Sequence, residues 1–292
     1  MRILVTGKTG QLAQSLAERG PDAHATVILL GRPEFDLADP TSPTGLLAAH
    51  HPDVIVSAAA YTAVDSAETE PEHAYAVNAE GPRRLAASAA TLGIPIIHIS
   101  TDYVFDGAKA TPWTEDDATS PLGVYGASKL AGENAIRAAS PDNIVLRVAW
   151  VCSPFSANFA KTILRLARER DELRIVADQI GTPTSALDIA DGVLRVARNI
   201  MDQPNRHELR GLFHMGSAEA TSWAGFARGI CDWLNDHSGR SVVVHDIATA
   251  DYPTKARRPA NSRLDSRRLA TIHGVTLPSW RTSLPPILDR LA

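Results

Sequence analysis

Met1-Arg-Ile-Leu-Val-Thr-Gly7-Lys-Thr-Gly10-Gln-Leu-Ala13, at the start of the chain, is the stretch that decides the fold. Residues 3–5 form a short apolar run typical of a buried strand, and a glycine turn and a helix-compatible segment follow at once. A strand, a glycine turn and a helix in this order predict the first unit of a dinucleotide-binding fold. Gly7 allows the tight turn, and Gly10 lets the backbone approach a pyrophosphate at the helix N-terminus.

Short apolar segments alternate with helical segments through residue 150. Further strands are expected at residues 26–30, 53–57, 94–99 and 143–148. This alternation predicts an α/β fold with a doubly wound parallel sheet of the Rossmann type over residues 1–150. Residues 151–292 show a looser pattern and are interpreted as a smaller, partly interleaved C-terminal lobe that binds substrate. Its helical segment at 185–201 is expected to pack back on the sheet.

Composition argues against several classes of partner. The 292 residues carry a net charge of −4 without a basic block, which argues against nucleic acid. The two cysteines, Cys152 and Cys231, are far apart and fit neither a disulfide framework nor a zinc site. The N-terminus lacks the apolar core of a signal peptide, and no apolar stretch reaches membrane-spanning length. We therefore expect a cytoplasmic protein without a membrane partner.

The second predicted strand ends in Gly31-Arg32, where NAD-specific folds usually carry an acidic residue for the ribose 2′-hydroxyl. Arg32 instead suits a 2′-phosphate, which favours NADPH and leaves NADH as the alternative. An exposed loop arginine without a cofactor role is the competing interpretation. Asp36-Leu37 follows on a loop that we expect at the adenine end of the cofactor. After the third strand, the small side chains of Ala58 to Ala60 let the backbone pass close to a flat ligand.

Tyr125-Gly-Ala-Ser-Lys129 places a tyrosine and a lysine four residues apart, on the same face of a helix. A phenol titrates near ~10, and a neighbouring cation lowers its pKa. The pair is therefore suited to exchange a proton with a carbonyl or alcohol oxygen. An ordinary amphipathic helix is the alternative. Ser100-Thr101-Asp102 ends the preceding strand, at the edge where open α/β sheets bind their ligands. His98, within that strand, is interpreted as a core residue.

Arg257-Arg258-Pro259 lies in an irregular segment near the end of the chain. Arginines in such a segment are suited to bind a diphosphate through charge-assisted hydrogen bonds. Two solvated surface arginines explain the same pattern equally well, so both interpretations stay open.

Five segments occur in an order that carries more information than any one of them. They are Gly7-Lys-Thr-Gly-Gln-Leu12, Ala58-Ala-Ala-Tyr-Thr-Ala-Val-Asp65, Ser100-Thr-Asp-Tyr-Val-Phe105, Tyr125-Gly-Ala-Ser-Lys-Leu-Ala-Gly-Glu133 and Arg258-Pro-Ala-Asn-Ser-Arg-Leu264. Together they span nearly the whole chain. They resemble the extended short-chain dehydrogenase/reductase superfamily and, within it, the dTDP-4-dehydrorhamnose reductase family.

The resemblance implies NAD(P)H-dependent reduction of the C4 keto group of dTDP-4-dehydro-L-rhamnose to dTDP-L-rhamnose, a deoxysugar precursor for cell-surface polysaccharide. It implies that Tyr125 protonates the C4 oxygen, that Thr101 hydrogen-bonds the same oxygen, and that Lys129 binds the nicotinamide ribose and lowers the tyrosine pKa. Asp102 and Trp150 are implied to contact the nucleotide-sugar. The residues implied to line the cofactor are Gly10, Gln11, Leu12, Asp36, Leu37 and Ala58 to Ala60.

Some members of this family are dimers with magnesium held by interface glutamates. The corresponding positions here are Gln14-Ser15 in the first helix and Leu187 in a later one, so we find no acidic interface ligands. We therefore expect no magnesium-bridged dimer, and either a monomer or a metal-free homodimer.

Three alternatives remain open. A dehydratase of the same superfamily needs a glutamate beside the Thr-Asp pair; this chain has Tyr103 there, which counts against dehydration. A 4-epimerase or a 4-ketoreductase for another deoxysugar is also open, because the sequence does not fix the stereochemistry at the sugar. A non-catalytic regulatory subunit, resembling that of methionine adenosyltransferase, binds the cofactor without turnover. The complete set of Thr101, Tyr125 and Lys129 favours an enzyme over that subunit.

Overall fold

One parallel sheet organises most of the chain in the computed structural model, which describes residues 1–41 and 45–292. The strands are β1 (Arg2–Thr6), β2 (Thr26–Leu30), β3 (Val54–Ser57), β4 (Ile96–Thr101), β5 (Asn143–Val148), β6 (Val151–Cys152), β7 (Glu172–Val176), β8 (Ile180–Gly181), β9 (Thr184–Ser185), β10 (Gly211–His214), β11 (Thr221–Ser222) and β12 (Val243–Ile247). Six of them form the main sheet in the order β10-β5-β4-β3-β1-β2, and every pair is parallel. The prediction of a doubly wound parallel sheet is confirmed.

Helices cover both faces of this sheet. They are α1 (Gln11–Arg19), α2 (Gly45–Ala49), α3 (Val64–Ala67), α4 (Pro71–Tyr75), α5 (Gly81–Leu92), α6 (Val124–Ala139), α7 (Phe159–Glu169), α8 (Ala186–Asp202), α9 (Trp223–Ser238), α10 (Arg267–His273) and α11 (Trp280–Asp289). Alternate residues of a strand point to opposite faces. Ile3 and Val5 accordingly join the core under α1 and α8, whereas Leu4 joins the core under α5 and α6. The helical segment expected at 185–201 therefore packs back on the sheet, as α8.

The turn after β1 explains why small residues follow β3. Gly7 has a positive φ of 89°, a conformation that costs glycine little. A Cβ atom at Gly7 would lie 2.9 Å from the Cα atom of Ala59. The glycine turn and the Ala58 to Ala60 segment therefore fit together only because both carry small side chains.

A second apolar core lies in the C-terminal part of the chain. It is built from α7, α9 and α11 and from the parallel pair of β7 and β12. Helices α7, α9 and α11 begin after Asn158, Ser222 and Ser279, whose side chains each accept a hydrogen bond from a first-turn backbone N–H. Among the residues described, no helix combines the length and the apolarity needed to cross a bilayer.

A buried ion pair joins α6 to the centre of the sheet. Arg147 on β5 donates from Nη2 to Oε2 of Glu133 at 2.7 Å and from Nε to Oε1 at 2.9 Å. The two side chains are 3% and 2% exposed. Ser100 at the end of β4 donates to the same carboxylate at 2.5 Å. The pair therefore fixes α6 against two neighbouring strands, at the level where β4 ends.

Removing one member of this pair should destabilise the fold strongly. We expect Arg147→Met to lower the free energy of unfolding by about 3–5 kcal/mol, because Glu133 is left buried and uncompensated. The double variant Arg147→Met/Glu133→Leu should recover much of that loss. Urea unfolding measures both values. Arg165→Met, which breaks an exposed pair with Glu169, is the control and should cost at most about 1 kcal/mol. An equal cost for the two arginine variants would contradict this account.

Candidate active site

The candidate site lies at the carboxyl edge of the main sheet. The order of strands along the chain reverses between β1 and β3, since β2 lies on one side of β1 and β3 to β5 lie on the other. Open α/β sheets bind ligands outside the strand ends at such a point. The glycine turn and the Ala58 to Ala60 segment meet here, and the Thr6 hydroxyl accepts hydrogen bonds from the backbone N–H groups of Ala58 and Ala59, at 3.2 Å each. These elements form the walls of a cofactor crevice.

The N-terminus of α1 offers backbone donors to this crevice. The first helical hydrogen bond runs from the Gln14 N–H to the Gly10 carbonyl at 3.1 Å. The three N–H groups that precede it, those of residues 11–13, therefore have no partner within the helix. Gly10 brings no capping side chain, and the first turn carries no acidic residue. This donor set fits a pyrophosphate, for which free N–H groups and the helix dipole are both favourable.

Two residues expected at the cofactor have side chains committed elsewhere. The Gln11 side-chain oxygen accepts hydrogen bonds from Ser153 at 2.8 Å and from Asn158 at 3.0 Å, so Gln11 ties the glycine turn to a later loop. Leu12 is buried in the core under α1. Both residues can therefore contribute their backbone N–H groups to a cofactor.

The loop after β2 carries the residues expected at the adenosine end. Arg32 is exposed, and Leu37 is buried in the core. Asp36 is half-buried and accepts a hydrogen bond from the Ala38 N–H at 2.9 Å. Glu34, on the same loop, forms an ion pair of 2.7 Å with Lys8 of the glycine turn. The loop is thus anchored to the glycine turn, with Arg32 at its surface.

Close helix packing positions Tyr125 and Lys129. A Cβ atom at Gly126 would overlap the Tyr103 carbonyl, and one at Gly132 would overlap the Asn78 carbonyl. These glycines let α6 lie directly against its neighbours. The Tyr103 ring packs edge-on against that of Tyr125, with centroids 5.4 Å apart.

Thr101 and Tyr125 meet at the end of β4. Burial raises the pKa of Tyr125 to about 12, and a hydrogen bond with the Thr101 side chain opposes this rise. The expectation of a lowered tyrosine pKa is therefore wrong for this structure. Lys129 is buried and donates to the Ile99 carbonyl at 2.6 Å, and its ammonium group also lies 3.4 Å from Nε2 of His98.

Burial lowers the pKa of Lys129 to about 8, with Glu133 opposing the shift. Burial together with the nearby Lys129 charge holds the pKa of His98 well below its usual value. His98 is therefore a neutral core residue, as interpreted from the sequence. Its Nδ1 atom lies 3.1 Å from the Ser57 hydroxyl, so His98 also bridges Lys129 to β3.

Asp102 holds a buried carboxylate with an open acceptor. Its Oδ1 atom accepts a hydrogen bond from the Thr101 hydroxyl at 3.1 Å, whereas Oδ2 has no partner among the described residues. Burial raises the pKa of Asp102 to about 6, and the neighbouring hydroxyl groups of Ser262 and Thr101 oppose the rise. A buried acceptor without a partner suits a hydroxyl donor from a ligand. Sequence reasoning missed the contribution of Ser262, which lies far along the chain.

Trp150 combines an unusual backbone conformation with aromatic stacking. Its φ of 47° is uncommon for a bulky residue. Its ring stacks on Trp223 with centroids 3.4 Å apart and planes 7° apart. A Cβ atom at Gly181 would overlap the Trp150 ring. Sequence reasoning missed Trp223 and Gly181, because neither lies near Trp150 in the chain.

Arg258 is engaged by a carboxylate. Its Nη2 atom lies 2.6 Å from Oδ2 of Asp65, and its Nη1 atom donates to the Thr254 hydroxyl at 2.5 Å. The side chain is half-buried, and its charge reaches the Tyr103 phenol. Arg257 beside it is exposed. Arg258 therefore borders the site within an ion pair, and the simple interpretation of two solvated arginines holds only for Arg257.

The positions considered for magnesium carry no acidic cluster. Ser15 donates to the Gln11 carbonyl at 2.9 Å, and Leu187 is buried in the core. Asp188, next to Leu187, accepts a hydrogen bond from Ser283 at 2.5 Å. In residues 1–41 and 45–292, no group of three or more histidine, cysteine or acidic side chains is arranged to hold a metal ion.

Comparisons with known proteins agree over the full length. A family model described as RmlD substrate binding domain matches residues 1–292. The chain is 50% identical to a dTDP-4-dehydrorhamnose reductase of Sinorhizobium fredii, over 97% of this chain and 95% of the relative. It superposes on the crystal structure of such a reductase from Clostridium acetobutylicum with a TM-score of 0.91, at 36% identity, over 100% and 99% of the two chains. The corresponding Bacillus anthracis reductase, solved in complex with NADP, gives a TM-score of 0.90 at 30% identity, over 99% and 98%.

Asp102 should make the ligand-free protein less stable as the pH rises. Because its folded pKa is raised to about 6, the folded state keeps a proton that the unfolded state loses between pH ~4 and ~6. Stability is therefore lost as the pH rises through this window. Asp102→Asn should remove the loss and be more stable than the parent at pH 7.5, with little difference near pH 4. Urea unfolding at both pH values checks this, with the exposed Asp202→Asn as control. A variant that is less stable than the parent at pH 7.5 would contradict it.

Proposed function

This chain belongs to the dTDP-4-dehydrorhamnose reductase family of NADPH-dependent oxidoreductases, and we propose that it reduces the C4 keto group of dTDP-4-dehydro-L-rhamnose with Tyr125 as the proton donor. The observation that carries the proposal is the packing of α6 on the carboxyl end of β4, where Lys129 donates to the Ile99 carbonyl at 2.6 Å and Tyr125 lies beside Thr101. Two hydroxyl donors at one point are what a ketone oxygen requires as negative charge develops on it. The product is dTDP-L-rhamnose, a deoxysugar precursor for cell-surface polysaccharide.

Tyr125 is suited to donate a proton because it stays neutral. With a pKa of about 12, its phenol remains protonated throughout the neutral range. NADPH, when bound, supplies the hydride to C4 of the sugar. The C4 oxygen then takes the proton of Tyr125, while the Thr101 hydroxyl turns its hydrogen bond from Oδ1 of Asp102 to the same oxygen. A preorganised pair of donors, with Thr101 buried and Tyr125 half-buried, loses little energy to solvent reorganisation during this step.

Lys129 is placed to bind the cofactor beside Tyr125. An ammonium group has three donors, and two of them are directed to the Ile99 carbonyl and to the neutral His98 ring. The third remains for the nicotinamide ribose. Deprotonation of Lys129 above pH ~8 removes the charge and one of the three donors. The lysine therefore positions the cofactor, and its effect on the Tyr125 pKa is smaller than that of burial.

The remaining cofactor contacts come from residues at the carboxyl edge of the main sheet. The backbone N–H groups of residues 11–13 bind the pyrophosphate, with Gly7 and Gly10 giving the close approach. Arg32, exposed on the loop after β2, meets the 2′-phosphate and favours NADPH over NADH. Asp36 and Leu37 border the adenine, and the backbone of Ala58 to Ala60 borders the nicotinamide half.

The nucleotide-sugar lies between the sheet edge and the C-terminal lobe. The open Oδ2 acceptor of Asp102 receives a sugar hydroxyl. The Trp150 ring, fixed by Trp223, supplies an apolar wall. Arg258 contributes positive charge for the diphosphate from within its pair with Asp65. Magnesium has no part in this proposal, and the protein acts as a monomer or as a metal-free homodimer. The cytoplasmic location stays a prediction.

Tyr125→Phe tests the proton donor. We expect kcat to fall about 100- to 10,000-fold, because the ring remains but the acid is lost. NADPH binding should change little. Absorbance of NADPH with dTDP-4-dehydrorhamnose measures the first value, and fluorescence titration with NADPH measures the second. Tyr75→Phe, at an exposed tyrosine, is the control. If Tyr125→Phe and the parent had comparable turnover, Tyr125 would not be the proton donor.

Arg32→Ala tests the cofactor preference. Loss of a charge-assisted contact with the 2′-phosphate should raise the Kd for NADPH about tenfold and leave the Kd for NADH nearly unchanged. Titration of both cofactors measures the ratio. Arg170→Ala removes another exposed arginine, distant in the chain, and should leave both constants unchanged. An unchanged NADPH/NADH ratio in Arg32→Ala would refute the role of Arg32.

A further inference from the structure

Two carboxylates, Asp65 and Glu68, belong to the short helix α3 and the residue that follows it. Asp65 lies within the helix, and Glu68 follows its last residue. Residues three apart on a helix lie on the same face. Asp65 contacts residues 256–258, and Glu68 contacts the first residue of α6.

Glu68 caps the helix that carries the proton donor. Its Oε1 atom accepts a hydrogen bond of 2.8 Å from the N–H of Val124, the first residue of α6. Gly123, at the capping position, has the extended backbone of a capping residue but no side chain to accept a hydrogen bond. A Cβ atom at Gly123 would overlap the Glu68 carboxylate. The glycine therefore leaves room for a cap supplied by another part of the chain.

Asp65 joins α3 to residues 256–258 in the C-terminal part of the chain. Its Oδ2 atom pairs with Arg258 at 2.6 Å, and its Oδ1 atom accepts a hydrogen bond from the Ala256 N–H at 3.0 Å. The hydrogen bond to Arg258 and the nearby positive charge lower the pKa of Asp65. Asp65 therefore stays ionised at neutral pH. Helix α3 is joined to residues 256–258 through Asp65 and to α6 through Glu68.

We propose that Glu68 is a positioning residue for Tyr125 and that Asp65 holds Glu68 in place through its contacts with residues 256–258. The inference rests on the proposed function for its catalytic consequence. Tyr125 is the second residue of α6, so it belongs to the turn that Glu68 caps. An uncapped first turn frays. The phenol then spends less time in line with the ketone oxygen, while the cofactor contacts on α1 are unaffected.

Four variants separate this role from a general loss of structure. Glu68→Ala should lower kcat about 10- to 100-fold with little change in KM, since displacement of a catalytic group affects the chemical step. Glu68→Gln keeps an acceptor and should retain most of the activity. Gly123→Ala keeps Glu68 but displaces its carboxylate, and should behave as Glu68→Ala does. Glu68→Ala/Gly123→Ser should recover activity, because the new serine caps α6 itself.

Two further variants complete the set. Asp65→Asn should lower kcat less than Glu68→Ala does, and Asp65→Asn/Glu68→Ala should have the kcat of Glu68→Ala alone, because both act through one contact. Glu72→Ala, at an exposed glutamate on α4, is the control and should retain the kcat of the parent.

Hydrogen exchange in the ligand-free protein gives a readout that does not depend on activity. The peptide that covers the first turn of α6 should exchange faster in Glu68→Ala and Gly123→Ala, and should regain protection in Glu68→Ala/Gly123→Ser. Parent-like exchange and kcat in Glu68→Ala would overturn the inference. So would a failure of the serine to restore either value. If the parent itself does not oxidise NADPH with the sugar while the exchange pattern holds, the proposed function fails and the cap stands.

Discussion

The ion pair between Glu133 and Arg147 is the contact on which the site geometry depends. It lies inside the protein, joins α6 to β5, and receives a further hydrogen bond from Ser100 at the end of β4. A buried pair of this kind contributes little net stability compared with an apolar pair, but its directional hydrogen bonds join α6 to both β4 and β5. Because Lys129 lies one helical turn before Glu133, and Thr101 follows Ser100, the same contact sets the lysine opposite the end of β4. The geometry of the candidate site thus depends on a contact in the core.

Burial then sets the protonation states that the chemistry uses. It keeps Tyr125 neutral, brings the Lys129 pKa down to about 8 and raises the Asp102 pKa to about 6. Each shift opposes the charged form of its group, so each has the same physical cause. Burial of these groups lowers the stability of the fold. At Asp102, the second carboxylate oxygen has no partner among the described residues. A ligand hydroxyl at that oxygen would recover part of this cost on binding.

The parts of the site that sequence could predict are local in the chain. The glycine turn, and Thr101 with Tyr125 and Lys129, follow from short motifs whose backbone geometry is set by neighbouring residues. The pair of Asp65 and Arg258 spans 193 residues, and no local pattern indicates it. The sequence predicted the wrong direction for the Tyr125 pKa for a related reason. Spacing places a lysine beside the tyrosine, but only the packed structure shows how strongly burial acts on the phenol.

Transfer of deuterium tests the central claim most directly, since the account requires that this chain delivers hydride to C4 of the sugar while Tyr125 protonates the oxygen. The protein is mixed with dTDP-4-dehydrorhamnose and NADPH carrying deuterium at the transferred position, and the product is analysed by NMR. We predict stoichiometric oxidation of NADPH and one deuterium at C4 of dTDP-L-rhamnose. Absence of oxidation, or deuterium at any other carbon of the sugar, would contradict the account.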